Sequence, residues 1–89
     1  MSIKLADNKL KSLRIYFREK LYGIYAPEEI DAFFYRGINH FFNIDRLHFH
    51  SDLNRQLSES DILKIRNLAH ELRRFRPIQY ILGQTIFYD

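Results

Sequence analysis

The sequence contains no cysteine, and only three of its residues are glycine and two are proline. Without cysteine the chain cannot carry a disulfide framework, a thiolate nucleophile, a Cys-based zinc site or an iron–sulfur cluster. The scarcity of glycine and proline argues against a loop-rich secreted scaffold or a disordered tail. The composition fits an ordered, helix-rich protein in a reducing compartment.

Long hydrophobic runs are also missing from the chain. The N-terminal residues, from Met1 to Leu5, lack the apolar segment of a signal peptide. The longest stretch without a charged residue, from Pro77 to Tyr88, is too short to span a bilayer. We therefore expect no membrane partner and a cytoplasmic location.

Apolar and aromatic side chains are what the sequence has in quantity. Of its 89 residues, 46% are hydrophobic and 16% are aromatic, enough to bury one modest core but not two. The net charge of +3 makes nucleic acid a conceivable partner but falls well short of a dedicated phosphate-binding surface. The distribution of the charge, rather than its sum, must therefore indicate the partner.

The first half of the chain predicts two amphipathic helices. The first lies between Leu5 and Ile24, with an apolar stripe at three- and four-residue steps formed by Leu10, Leu13, Phe17 and Leu21. The second begins at Pro27, a residue that suits the first helical position. Its stripe consists of Ile30, Phe33, Phe34, Ile38 and Phe41. Gly37 lies on or beside this stripe, where a missing side chain lets another backbone approach, so we expect it to serve helix packing.

The second half predicts one short helix and one long helix. The short one falls within Asn43 to Leu57, with Asn43 or Ser51 as its cap and an apolar side formed by Ile44, Leu47, Leu53 and Leu57. The long one follows Ser58 and Asp61, which are spaced as a capping box with Asp in place of the preferred Glu. Its apolar stripe is formed by Ile62, Ile65, Leu68, Leu72 and Phe75.

The C-terminal residues predict a change of structure. Pro77 restarts the chain as a short fifth helix that ends at Ile81 or Leu82, and Gly83 can close it in a left-handed conformation. Residues 84–88 are rich in β-branched and aromatic side chains and are typical of the opening of a strand. The predicted fold class is thus all-α, a small bundle of four main helices plus a short fifth, with a strand-like C-terminal tail.

Local patterns of catalytic or metal-binding residues give little support for chemistry in this chain. The histidines lack the i, i+4 spacing of a helical zinc site; they are His40, His48, His50 and His70. The carboxylates of Glu28 and Glu29 are explained by the positive end of the helix dipole. The three isolated glycines form no phosphate loop, and no Ser-His-Asp set is indicated. We expect no catalytic residue and no metal ligand.

Basic residues gather along the fourth helix and just after it, at Lys64, Arg66, Arg73, Arg74 and Arg76. Arginines placed in this way can bind phosphates or carboxylates of a partner. Cations near a helix C-terminus also complement the helix dipole and are ordinary on a solvated face. The second interpretation is favoured, and contact with a protein or a nucleic acid remains open as the alternative.

The run from Arg73 to Tyr88 resembles the domain junction of the HemK/PrmC family, enzymes that use S-adenosylmethionine to methylate a glutamine of peptide chain release factors. In that family a helix with a basic end leads to Pro-x-x-Tyr-Ile/Leu-x-Gly, three variable residues and two aromatics. The positions in register here are Pro77, Tyr80, Ile81, Gly83, Phe87 and Tyr88. Asp31 and Ala32 add a weaker match. Arg76 stands where an acidic residue is usual, and Asp89 stands where a glycine is common.

The resemblance implies a helical domain over residues 1–83 that holds the release factor, and over 84–89 the start of a linker or strand toward a methyltransferase domain. The family's Gly-rich cofactor loop and Asn-Pro-Pro-Tyr motif have no counterpart in this sequence. The expected partners are therefore the release factor and the methyltransferase domain, with Arg73, Arg74 and Arg76 as the expected contacts with the substrate protein.

Two other functions remain open on the residues alone. One is a small nucleic-acid-binding module that uses the basic residues from Lys64 to Arg76, and salt-dependent retention on nucleic acid would favour it. The other is a generic helical adaptor for protein interactions.

The missing Gly-rich loop leads to the first prediction. We expect the 89-residue chain to show neither S-adenosylmethionine binding nor methyl transfer, because no loop is present to cradle the cofactor. Isothermal titration calorimetry of the chain with the cofactor measures this directly. A dissociation constant in the micromolar range would contradict it.

Overall fold

The chain folds into helices joined by short connections in the computed structural model, which describes residues 7–83. In chain order the helices are α1 (Leu10–Leu21), α2 (Pro27–Phe42), α3 (Arg46–Phe49), α4 (Glu59–Arg73) and α5 (Ile78–Gly83). A 3₁₀ turn, His50–Asp52, continues α3. Within this range β-type pairing is limited to isolated bridges. The predicted all-α bundle is confirmed.

Some sequence expectations concern residues outside the described part of the chain. The strand-like tail at 84–88, including Phe87 and Tyr88 of the family motif, lies there, as does the predicted helix start at Leu5. Between residues 7 and 83, no helix combines the length and the apolar composition that crossing a bilayer requires.

Helix α1 begins at Leu10, and the residues just before it are not helical. The first amides of a helix have no partner within it, and Lys9 at the cap position supplies no side-chain acceptor. A distant segment provides the acceptors instead: Leu10 donates to the carbonyl of Arg55 at 3.0 Å, and Lys11 to that of Leu53 at 3.1 Å. The prediction that the helix starts near Leu5 is wrong for residues 7–9, which are not helical: Asn8 accepts from the Leu57 amide at 2.8 Å, and Lys9 forms an isolated bridge with Gln56.

Apolar side chains of α1, α2 and α4 form the core, and the predicted stripes supply most of it. The largest fully buried side chains are Phe17, Phe34, Phe49, Leu10, Leu13, Leu21, Ile38, Ile65, Leu68 and Leu72. The ring of Phe34 lies between those of Phe17 and Phe49, at centroid distances of 5.5 and 5.8 Å. This aromatic row connects α1 and α2 with α3.

The third helix departs most from its prediction. It is a single turn whose cap is Asp45, which accepts from the His48 amide at 2.8 Å, whereas Asn43 ends α2 in a left-handed conformation. Leu47, expected on the apolar side, is 85% exposed, and Phe49 is buried in its place. One turn is too short for periodicity to define a face, so the packing of Phe49 sets the orientation of the helix.

The predicted packing role of Gly37 is confirmed. A Cβ atom at this position would lie 2.6 Å from Cδ2 of Leu68 and 3.4 Å from Cδ1 of Ile65, both on α4. Real Cβ atoms almost never approach a neighbour as closely as the first of these distances. The absence of a side chain on α2 therefore permits the close contact with α4.

Helix α4 starts and packs as predicted. The capping box is present, because the Ser58 hydroxyl accepts from the Asp61 amide at 3.1 Å and the Asp61 carboxylate accepts from the Ser58 amide at 3.2 Å. Leu68 and Leu72 are each only 1% exposed. The face of α4 chosen from the sequence is the one that the structure buries.

Leu68→Ala and Leu72→Ala are each expected to lower the free energy of unfolding by about 2 to 5 kcal/mol, because each change removes buried methyl groups and leaves a cavity. Leu63→Ala is the matched control, since Leu63 lies on the exposed side of the same helix. Its cost should stay below about 1 kcal/mol. Urea denaturation measures all three, and losses below about 1 kcal/mol at both core positions would show that the buried face is misassigned.

Candidate functional site

The C-terminal end of α4 contains the arginines singled out in the sequence and has an unusual backbone. The amide of Phe75 donates to the Leu72 carbonyl at 2.9 Å, and the amide of Arg76 reaches back to the Glu71 carbonyl at 3.3 Å. This pair of bonds defines a Schellman ending, which places one residue in the left-handed conformation. That residue is usually glycine, but here it is Phe75, with φ of +63°.

A left-handed conformation is costly for Phe75. The Cβ atom of any residue other than glycine crowds the following carbonyl there, at a cost of about 1 to 2 kcal/mol. The side chain recovers little of this by burial, because it is 71% exposed. The prediction that Phe75 continues the apolar stripe of α4 is therefore wrong: the helix ends at Arg73, and the turn that follows points the ring outward.

The three arginines predicted as contacts have different surroundings. Arg73 donates from Nη1 to the Lys20 carbonyl in the last turn of α1, at 2.6 Å. Arg76 pairs with Glu71, with 3.0 Å between Nε and Oε1. Arg74 is exposed, and its side chain makes no hydrogen bond or ion pair with any residue of the described range. Two of the three therefore hold elements of the fold together, and only Arg74 has no such partner among residues 7–83.

Tyr25 supports the exposed ring of Phe75. Its hydroxyl donates to the Leu72 carbonyl at 2.8 Å, and its ring packs edge-on against Phe33 at 5.0 Å. Burial, together with the Glu29 carboxylate, raises the pKa of Tyr25. The ring of Phe75 lies 6.1 Å from that of Tyr25. We call the surface formed by Tyr25, Arg74 and Phe75 the Phe75 corner.

Sequence reasoning missed Tyr25 and misplaced Phe75, although a signal for the second was present. Proline commonly follows a helix ending by one or two residues. Pro77 thus indicated that α4 ends close to Phe75, where the apolar stripe need not continue. No pattern in the sequence pointed to Tyr25, because its contact with Leu72 joins residues 47 positions apart.

The described part of the family motif lies in α5 and at its start. Ile81 is buried, whereas Tyr80 is 50% exposed and lines a cleft of about 280 Å³ together with Asn67 and Arg76. Gly83 is the last residue of α5 and does not have a positive φ, so the prediction of a left-handed closing residue is wrong at this position. Helical geometry continues through Gly83, and among the described glycines only Gly23 is left-handed.

The other basic residues of α4 are separate from the Phe75 corner. Lys64 and Arg66 are half-buried, and each of them has an interaction partner. The cluster drawn from the sequence therefore does not form one continuous row of free cations.

A second charged cluster joins α1 to α2 and centres on Asp31, which the sequence singled out only as a family match. Arg18 donates to both oxygens of Asp31 at 2.9 Å, and Arg14 approaches the same carboxylate at 3.8 Å. The hydrogen bond from Arg18 is the main cause that lowers the pKa of Asp31. The guanidinium group of Arg14 also lies over the ring of Phe49, 5.3 Å from its centroid. This cluster fixes two helices, and it explains Asp31 without a ligand.

The histidines do not come together in the part of the chain that the structure describes. His48 pairs with Asp45, with 2.6 Å between Nδ1 and Oδ1, on an exposed surface. Among residues 7–83, no three side chains of the metal-binding types lie close enough to hold an ion.

Comparison with known proteins gives two matches. The family model described as the PrmC N-terminal domain matches residues 26–83. The release factor glutamine methyltransferase of Flavobacterium psychrophilum is 30% identical over 79 residues, which are 89% of this chain and 28% of that protein. The chain thus spans less than a third of the length of this relative. No solved structure matches the chain.

The Asp31 cluster predicts a pH-dependent loss of stability. At pH 7, Asp31→Asn should lower the free energy of unfolding by about 1 kcal/mol, because the charge-assisted bonds from Arg18 and Arg14 are lost. The pKa of Asp31 is lower in the folded state than in the unfolded state, where it is near 3.8. The stabilisation is therefore complete above the unfolded-state pKa and is lost as the pH falls through the folded-state pKa. The difference between wild type and variant should therefore shrink toward zero at low pH.

Urea denaturation at pH 7 and at pH 3 measures this difference. Glu19→Gln is the matched control, because Glu19 is an exposed carboxylate of α1 outside the Asp31 cluster. A wild-type advantage over Asp31→Asn that is the same at both pH values would contradict the assignment.

Proposed function

This chain belongs to the PrmC N-terminal domain family, as the run from Arg73 to Tyr88 predicted, and on that premise we propose that it is the substrate-recognition domain of a release factor glutamine methyltransferase. Its task is to bind the release factor and not to carry out the chemistry. The observation that supports this most is the Phe75 corner, where a costly backbone conformation holds an apolar side chain in the solvent next to Arg74, an arginine without a partner among the described residues.

Methyl transfer, with S-adenosylmethionine as the methyl donor, is assigned to the part of such an enzyme that this chain does not cover. The described residues are not built to hold that cofactor. Its binding loops need glycines close together after a strand. Here Gly37 packs against Leu68 inside α2, while Gly23 and Gly83 lie at separate ends of helices.

Protein binding accounts for the basic residues better than nucleic-acid binding does. A surface that follows a phosphate backbone needs several free cations in a row. Arg73 and Arg76 are engaged by the Lys20 carbonyl and by Glu71. Arg74, which has no partner among residues 7–83, and the exposed ring of Phe75 are instead of the residue types that are enriched in protein interfaces.

The proposal predicts direct binding. The 89-residue chain should bind the purified peptide chain release factor of the same organism in isothermal titration calorimetry, with a dissociation constant in the micromolar range. Single-stranded RNA of mixed sequence is the control, and it should neither bind at physiological salt nor compete. No heat of binding with the release factor, or tighter binding of the RNA, would overturn the proposal.

A further inference from the structure

We propose that Phe75 is the apolar anchor of this domain and that Arg74 pairs with a carboxylate of the bound protein next to that anchor. The occupant of the Phe75 corner is then a segment of the protein substrate that presents an apolar pocket beside an acidic side chain. This inference rests on the proposed function, and it names the surface and the chemistry of the contact.

The backbone of residue 75 is the first support. Its left-handed conformation is the one that a Schellman ending requires, and glycine adopts it without a steric penalty. The fold itself is therefore served at least as well by glycine as by Phe75, whose φ is +63°. A bulky residue held in this conformation is typical of sites where the side chain has another task.

The surroundings of the ring are the second support. The ring of Phe75 lies near that of Tyr25, which is itself held by its bond to the Leu72 carbonyl, and Phe75 is otherwise largely exposed. A side chain backed by a fixed partner has less freedom to lose on binding than one on a mobile loop. The geometry fits a preorganised aromatic anchor of the kind that dominates binding energy in protein interfaces.

The charge around the corner is the third support, and it indicates what the partner carries. The Glu71 carboxylate is already paired with Arg76. Arg73 donates to a backbone carbonyl, which is uncharged and does not neutralise the positive charge of its guanidinium. Glu29 is close enough to Tyr25 for its carboxylate to raise the pKa of the tyrosine. Arg74 projects with no partner within the described residues. A carboxylate of the partner complements this free guanidinium, and a second cation is repelled by it.

The test compares two variants with two controls on the complete chain, using the release factor as the probe. Phe75→Gly removes the anchor and keeps the left-handed turn, and Arg74→Gln removes the charge and keeps the polarity. Leu47→Ala and Arg55→Gln remove an exposed apolar side chain and an exposed charge from the region where α1 begins and α3 lies, away from the corner. Calorimetry gives the dissociation constants, and thermal denaturation gives Tm.

Phe75→Gly should raise the dissociation constant about tenfold or more. Its Tm should stay unchanged or rise by up to about 4 °C. Glycine removes the backbone strain at residue 75, but this gain is partly offset by the greater conformational freedom of glycine in the unfolded chain. Arg74→Gln should weaken binding about threefold to tenfold and make it less sensitive to salt. The two controls should bind as wild type does.

The outcomes separate the two proposals. If the wild-type chain does not bind the release factor, the proposed function fails. If it binds and both corner variants bind as tightly, the function stands and the Phe75 corner is the wrong surface. A fall in Tm of more than about 4 °C for Phe75→Gly would show that Phe75 is a packing residue, and that result also overturns the inference.

Discussion

The contact of α2 with α4 at Gly37 is the constraint on which the rest of the structure depends. Because Gly37 has no side chain, Leu68 occupies the space where a Cβ atom would lie. The two helices therefore approach closely, and α1 covers them from the side through Phe17. The same approach brings Tyr25, just before α2, within 2.8 Å of the Leu72 carbonyl near the end of α4. The Phe75 corner thus lies where the residues before α2 meet the end of α4.

Three arginines that are nearly consecutive in the sequence do different things because a helix ends between them. Arg73 is still helical and turns back to the end of α1, where its positive charge meets the negative end of that helix dipole. The left-handed turn then reverses the chain, and Arg76 returns to Glu71. Arg74, at the cap of α4, makes neither of these contacts. The three arginines are neighbours in the sequence, but the backbone at the end of α4 gives each of them different surroundings.

The sequence predicted the long helices well and the short connections poorly, for a physical reason. Long stripes repeat a core contact several times, so one exception such as Phe75 does not obscure the helix. The capping box at Ser58 is equally local, since both partners lie within one turn. The start of α1 depends instead on carbonyls more than 40 positions away, and α3 depends on the packing of Phe49. Such long-range contacts are invisible to periodicity.

The candidate site shows the same division between local and distant causes. Its arginines could be named from the sequence, because charge at a helix end is a local pattern. Its aromatic part could not, because the exposure of Phe75 follows from where α4 stops and from the contact with Tyr25 across the fold. Phe75, which we propose as the contact with the partner, is also a position where the fold tolerates backbone strain. A variant selected for stability alone would therefore favour glycine at residue 75, and on our proposal it would lose the contact that gives the domain its function.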